Sequence, residues 1–387
     1  MQYDFDRVID RSNSCSIKHE PLWRGKPADV LPLWVADMDF AAPPCVQDAL
    51  IRRAEHGIFG YSEPDENYFD VAQKWFEERF SWTVQRDWLT ITPGVVNALY
   101  IAVRALTEPG DGVVIQQPVY YPFESCVRKT ERQLLVNELV YNGGRYGINF
   151  EDFEEKIKRA KMFIMCNPHN PIGRVWTKEE LTRMGELCLR HNVKVIADEI
   201  HEDFVFPDRR HLVFAALNQD FADIAITCTS PSKTFNLAGL LHANIFISNK
   251  NLREKFKEEY ARCGLSQPGV MGLAACKAAY QGGGEWLKQL LDYLAENMSL
   301  LKTYLSDHIP KIKLVEPEGT YLAWLDCNEL GLSPQKLDET LTQRGKLWLS
   351  AGYTFGQGGK GFERMNVACP RIVLRNALER LKSVDWK

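Results

Sequence analysis

Across the middle of the chain, short apolar or β-branched runs alternate with amphipathic stretches. The runs are VVIQQ at 113–117, MFIMC at 162–166, VKVIA at 193–197, IAITCT at 224–229 and ANIFIS at 243–248. Between them, KEELTRMGELCLRHN from Lys178 puts Leu181, Met184, Leu187 and Cys188 on one helical face. Such alternation predicts an α/β fold: a mostly parallel sheet with helices on both faces. The rhythm changes at Gly282-Gly283-Gly284. Beyond it Trp286, Leu290, Leu294, Met298, Leu301 and Leu305 recur at helical spacing, over a length that can link two domains. KIKLVEP and GTYLAWLDCN then read as strands, and SPQKLDETLTQRG and PRIVLRNALERLKS as helices, which predicts a smaller α+β domain. The first 45 residues have little periodicity and many Pro, Trp and Asp. The expected organisation is therefore an N-terminal arm at 1–45 that joins the small domain, a large domain at 46–284, and a linking helix with the small domain at 285–387.

Composition narrows the function classes. A chain of 387 residues suits two domains, and 45% hydrophobic with 25% charged residues excludes a disordered or fibrous chain. With 47 Lys plus Arg against 51 Asp plus Glu, the net charge of −4 leaves no basic block for nucleic acid or anionic lipid. No apolar run approaches the roughly 18 residues of a spanning helix, and the start MQYDFDRVIDRSNS is charged where a signal peptide is greasy. A cytoplasmic location is expected. The ten cysteines contain no Cys-x-x-Cys pair and read as reduced, mostly buried thiols. Cys166-Asn-Pro-His169 and Cys188-Leu-Arg-His191 share a zinc-like spacing. One sits on an Asn-Pro turn and the other within an amphipathic helix, so no metal is expected.

In an open α/β sheet the ligand lies beyond the carboxyl ends of the strands. Here those ends are polar. WLTI is followed by TPGVVN, whose Gly94 opens a helix, so the free N–H groups at Gly94, Val95 and Val96 suit a phosphate. VVIQQ leads to Tyr120 and Tyr121, MFIMC to Asn167 and Asn170, VKVIA to Asp198 and His201, and IAITCT to Ser230, Ser232 and Lys233. Taken singly, the lysine reads as a surface residue, the acid as an exposed turn and the tyrosines as packing. Together, in this order and at one sheet edge, they form an inventory for pyridoxal 5'-phosphate: an amine for its aldehyde, donors for its phosphate, a ring to stack on and a carboxylate for its pyridine nitrogen.

A rival motif, Gly356-Gln-Gly358-Gly-Lys-Gly361, matches the dinucleotide fingerprint Gly-x-Gly-x-x-Gly. The fingerprint needs a strand before and a helix after, whereas FERMNVAC alternates like a strand. The segment is instead expected to be a flexible loop, of the kind that closes over a substrate.

Ser230-Pro-Ser-Lys233-Thr-Phe-Asn-Leu-Ala-Gly239, Asn167-Pro-His-Asn-Pro-Ile-Gly173 and Ala197-Asp-Glu-Ile200 resemble the fold-type I pyridoxal-phosphate enzymes of the class I/II aminotransferase superfamily. Leu33-Trp-Val-Ala-Asp-Met-Asp-Phe40 and Asp198-Glu-Ile-His201 resemble its cystathionine β-lyase branch, which cleaves carbon–sulfur bonds. The resemblance implies Lys233 as the lysine that bonds the cofactor aldehyde, Asp198 at the pyridine nitrogen, Asn170 on the phenolic oxygen and Tyr120 stacked on the ring. It implies Arg364 on the substrate carboxylate, with Trp34, Asp37 and Tyr121 near the substrate. It also implies a phosphate held by Gly94, Val95, Val96, Ser230 and Ser232, and by Tyr61 reaching from a neighbouring subunit, hence a homodimer with shared sites. Two positions depart from many aminotransferases: His201 stands where tyrosine is common, and Leu241 where a phosphate-binding arginine is common.

The implied reaction is α,β-elimination on L-cystathionine, cysteine, cystine or cysteine S-conjugates, giving a thiol or sulfide, pyruvate and ammonia. Lys233 acts as base, and Lys233 or Tyr120 returns the proton to sulfur. An aminotransferase would use the same residues, and a lyase with a further regulatory binding role is a third reading.

Overall fold

The computed structural model describes residues 2–386. Its larger sheet has seven strands: β1 (Leu89–Thr92), β2 (Gly112–Gln117), β3 (Gln133–Glu138), β4 (Ala160–Cys166), β5 (Lys194–Asp198), β6 (Ala225–Thr229) and β7 (Ala243–Phe246). They lie in the order β1-β7-β6-β5-β4-β2-β3. Each apolar run of the sequence is one of these strands, and the mostly parallel sheet is as expected. Alternate side chains serve opposite faces. Val113, Ile115, Ile164, Ile196 and Ile226 pack beneath the helix Val95–Leu106, while Val114, Phe163, Met165, Val195 and Ala197 face the other layer, where the helix Lys178–Arg190 lies.

One strand runs the other way. β7 pairs antiparallel with both β6 and β1, because the chain between Thr229 and Ala243 holds only a one-turn helix at Pro231–Thr234 and a 3₁₀ turn at Ala238–Leu240. A parallel return needs a crossover, usually a full helix. The chain therefore doubles back at the carboxyl edge of the sheet and leaves Lys233 there.

A helix at Gly284–His308 follows, with all six predicted apolar positions buried. Beyond it lies a second, antiparallel sheet of β8 (Lys313–Leu314), β9 (Leu322–Asp326), β10 (Ser350–Ala351) and β11 (Phe362–Asn366), in the order β8-β9-β11-β10. The N-terminal segment packs onto this unit: Leu31–Pro32 pairs in parallel with Leu347–Trp348. The Gly-rich segment forms tight turns at Gly352–Phe355 and Gln357–Gly359, where a Cβ on either Gly352 or Gly359 would strike the other's backbone. Val119 N–H also donates to Phe355 O at 2.9 Å. The expected flexible loop is thus a packed corner, and β11 follows it as the alternation predicts. Among the described residues no helix is long and apolar enough to cross a membrane.

Candidate active site

Four strand ends and the returning loop converge on a cavity of about 820 Å³. Asp198 is the last residue of β5, and Lys233 sits on the one-turn helix just after β6. Ser230 caps that turn: its Oγ accepts from Ser232 N–H at 3.1 Å and bonds His242 O at 2.6 Å. Lys233 Nζ donates to Ala36 O at 2.8 Å, and Tyr321 OH donates to the same carbonyl at 3.0 Å. The segment bearing Ala36 is laced at both ends. Asn236 accepts from Met38 N–H at 2.9 Å and donates to Met38 O and Phe40 O at 3.0 and 2.8 Å. Asn366, two residues after Arg364, donates to Val35 O and Asp37 O, each at 2.7 Å.

Enclosure controls protonation. Asp198 is buried, which pushes its carboxyl up to about 7; Ile200 N–H, donating to Oδ1 at 3.2 Å, and nearby Lys233 restrain the rise, while Glu199 adds to it. Burial brings the Lys233 ammonium down to about 8; Arg364 assists, and Asp37 and Asp198 oppose. Burial pushes Tyr120 up to about 12 and brings Arg364 down to about 10. His201 is driven well below its ordinary range, first by burial and then by Lys233 and Arg364, so its imidazole is neutral. Its Nδ1 has no partner.

These groups fit pyridoxal phosphate. The charge of Lys233 does not offset the burial of the Asp198 carboxyl, and a protonated ring nitrogen would supply the further cation it calls for. At the other end, Gly94 takes φ of 97°, a conformation suited to glycine, and opens the helix Val95–Leu106, whose first N–H groups have no intrahelical acceptor. Gly94, Val95, Val96 and Ser232 all line the cavity there. Leu241 lines it too and brings no charge, so the anion grip rests on backbone and hydroxyl donors.

Arg364 on β11 crosses from the small sheet. One terminal nitrogen donates to Asn170 Oδ1 at 2.9 Å and the other to Trp34 O at 2.7 Å and Ser350 Oγ at 3.1 Å, while Nε is unpaired. Trp34 stacks on Trp348, with centroids 4.4 Å apart. Tyr120, Tyr121, Asn170, Asp198, His201 and Lys233 line the cavity with Trp34 and Arg364.

Three predicted residues stand elsewhere. Ser230 is withdrawn into the cap described above. Asp37 turns to Arg11, 2.6 Å away, and Lys18, 3.8 Å away, and acts on Lys233 only through its charge. Tyr61 is 97% exposed and lies outside this chain's own cavity. Sequence reasoning also missed Tyr321, Ser350, Trp348 and the Ala36 carbonyl. Ala36 lies within the Leu33–Phe40 segment that carries the resemblance, but its carbonyl was not singled out, and Tyr321, Ser350 and Trp348 stand in no local motif.

A family model described as aminotransferase class I and II matches residues 28–381. The chain is 44% identical over 383 residues to cystathionine beta-lyase PatB of Bacillus subtilis, covering 98% of this chain and 99% of that protein. Among solved structures, cystalysin from Treponema denticola, which contains pyridoxal 5'-phosphate, superposes with a TM-score of 0.96 at 37% identity, covering 99% of this chain and 98% of that one. The pyridoxal-phosphate-bound C–S lyase from Staphylococcus hominis does so at 0.93 and 30%, with the same coverage. On a match that spans nearly its whole length, the chain belongs to the class I and II aminotransferase family.

Proposed function

We propose that the protein is a pyridoxal-phosphate-dependent carbon–sulfur β-lyase acting on L-cystathionine and related S-substituted cysteines. The observation that carries this reading is the 44% identity to a cystathionine beta-lyase over 98% of the chain, in a molecule whose own cavity holds the groups the chemistry needs. Bound there, the cofactor supplies an aldehyde for the substrate amine and an electron-poor ring that delocalises negative charge from the α-carbon. Asp198 keeps that ring protonated. Tyr120 would stack on the cofactor ring, and Asn170 would hold its phenolic oxygen. Arg364 grips the substrate carboxylate through two N–H groups, which fixes the Cα–H bond relative to Lys233.

Lys233 Nζ, brought down to about 8 by burial, becomes a free amine able to take the α-proton as the pH turns mildly alkaline. The electron pair released at the α-carbon expels the β-substituent as a thiolate, whose conjugate acid has a pKa of about 8.5 and which therefore departs readily. Lys233 Nζ returns the proton to sulfur, with Tyr120 OH as the alternative donor. The remaining enamine hydrolyses to pyruvate and ammonia.

The phosphate end supports a homodimer. Ile58, Phe59 and Tyr61 stand 67, 59 and 97% exposed on one loop, and Val96 and Leu241 are exposed in the cavity lining, apolar surface that a second copy would cover. All ten cysteines are free thiols, seven of them buried, which supports a reducing, cytoplasmic setting.

The test is incubation of the holoenzyme with L-cystathionine and no added keto acid. Pyruvate and free thiol accumulating together over many turnovers support the lyase. One equivalent of keto acid per site, followed by arrest, would mean an aminotransferase.

A further inference from the structure

The cavity that holds Lys233 is also lined by an ion pair that the elimination chemistry leaves unused. Lys26 Nζ lies 3.2 Å from each carboxylate oxygen of Asp338 and 3.3 Å from Thr342 Oγ1. The lysine follows the turn Pro21–Arg24, and the aspartate rides on the helix Pro334–Gln343. Their side chains are 21 and 25% exposed, so both charges stay within reach of a ligand. The pair is part-buried rather than a solvated surface pair. It lines the aromatic-walled cavity that also holds Lys233 and Arg364.

We propose that Lys26 and Asp338 are a recognition site for the distal amino-acid head group of a sulfur-bridged bis-amino acid such as cystathionine or cystine. This rests on the lyase reading above and names the substrate class that reading prefers. An α-amino acid carries its ammonium and carboxylate on one carbon, closely spaced, as are the ammonium and carboxylate of this pair. Laid antiparallel, the distal carboxylate meets Lys26 and the distal ammonium meets Asp338, giving two charge-assisted contacts without a net change in charge. Trp34, Trp348 and Tyr353 line the same cavity as this pair and Arg364, and offer apolar surface for the thioether stem. Arg364 holds the reacting head group, so two charged stations in one cavity read the two head groups of one substrate. Glu363 lies buried nearby, and burial followed by Asp338 drives it well above its ordinary range, so it stays uncharged and does not compete for the ammonium.

The holoenzyme is assayed for thiol or pyruvate release on L-cystathionine and on S-butyl-L-cysteine, which keeps the stem and lacks the second head group. Lys26→Met and Asp338→Asn should each lower kcat/KM for cystathionine by about 10- to 100-fold and leave S-butyl-L-cysteine within about 2-fold of wild type. S-(2-carboxyethyl)-L-cysteine, with a distal carboxylate alone, should be weakened by Lys26→Met and improved by Asp338→Asn. Equal losses on cystathionine and S-butyl-L-cysteine would make the pair merely structural and overturn the proposal, as would unchanged cystathionine kinetics. If the wild type eliminates neither substrate, the lyase reading itself fails, and the proposal falls with it.

Discussion

Asp198 carries a burden in the cofactor-free protein that should be measurable as pH-dependent instability. Its carboxyl rises from an ordinary 3.8 to about 7 on burial. The unfolded chain ionises this group near pH 4 and the folded chain only near 7, so folding stability falls as pH rises between those values and then levels off. Each pKa unit is worth about 1.4 kcal/mol, so between pH 5 and pH 7.5 the wild type should lose about 2–3 kcal/mol that Asp198→Asn does not lose. At an unfolding entropy of about 2.1 cal/mol/K per residue, a chain of this length converts that into about 3 °C. Asparagine keeps the acceptor for Ile200 N–H, and the cost of its unpaired amide N–H groups, about 1–3 kcal/mol, is the same at both pH values and cancels in the comparison. The assay is thermal unfolding of the cofactor-free wild type and variant across pH 5–7.5, below the titration of Lys233. The gap between their Tm values should change by about 3 °C in favour of the variant as pH rises. Parallel profiles would refute a strained, cation-seeking carboxyl at this position. The loaded variant should in turn lose elimination activity by at least about 10²–10³-fold, because nothing then keeps the ring cationic.

Other outcomes follow from the same geometry. Arg364→Lys removes a planar two-pronged grip at a buried site and should lower kcat/KM by about 10²–10³-fold, measured by coupled pyruvate release. Lys233→Ala and Tyr61→Ala should each be inactive alone, and unfolding and refolding them together should restore about a quarter of the wild-type site activity if sites are shared in a dimer; a Tyr61→Ala protein active by itself would mean that each chain is self-sufficient. Asn366→Ala strips the donors from Val35 O and Asp37 O; it should cost about 1–3 kcal/mol in denaturant unfolding and raise KM by loosening Trp34 and Ala36. Lys233→Ala should abolish pyruvate release and the cofactor's protein-bound absorbance, both checked on the purified protein.

Most of the large sheet was readable along the chain because a strand buried on both faces must be an uninterrupted apolar run, and each such run here is short and ends in polar residues. MFIMC ends at Cys166 and hands over to Asn170; VKVIA ends at Asp198. In a parallel sheet those handover points share one edge, so a one-dimensional list of strand ends became a three-dimensional list of cavity residues. Lys233, Asp198, Asn170, Tyr120 and the Gly94 turn were legible for that reason. Arg364 was legible only through family resemblance, since nothing in the period of β11 says which cavity its side chain enters.

What tertiary structure alone decided were partnerships between segments that are remote in sequence. Lys233 meets the Ala36 carbonyl 197 positions away, Lys26 meets Asp338 312 positions away, and Asp37 is drawn to Arg11 rather than to the cavity. The reversal of β7 likewise depended on how little chain bridges Thr229 and Ala243. Periodicity reports whether a side chain faces inward or outward, a property set by a few neighbours along the backbone. Which carbonyl caps an amine, or which of two cations claims a carboxylate, is settled by where the arm and the small sheet come to rest, and no local pattern encodes that position.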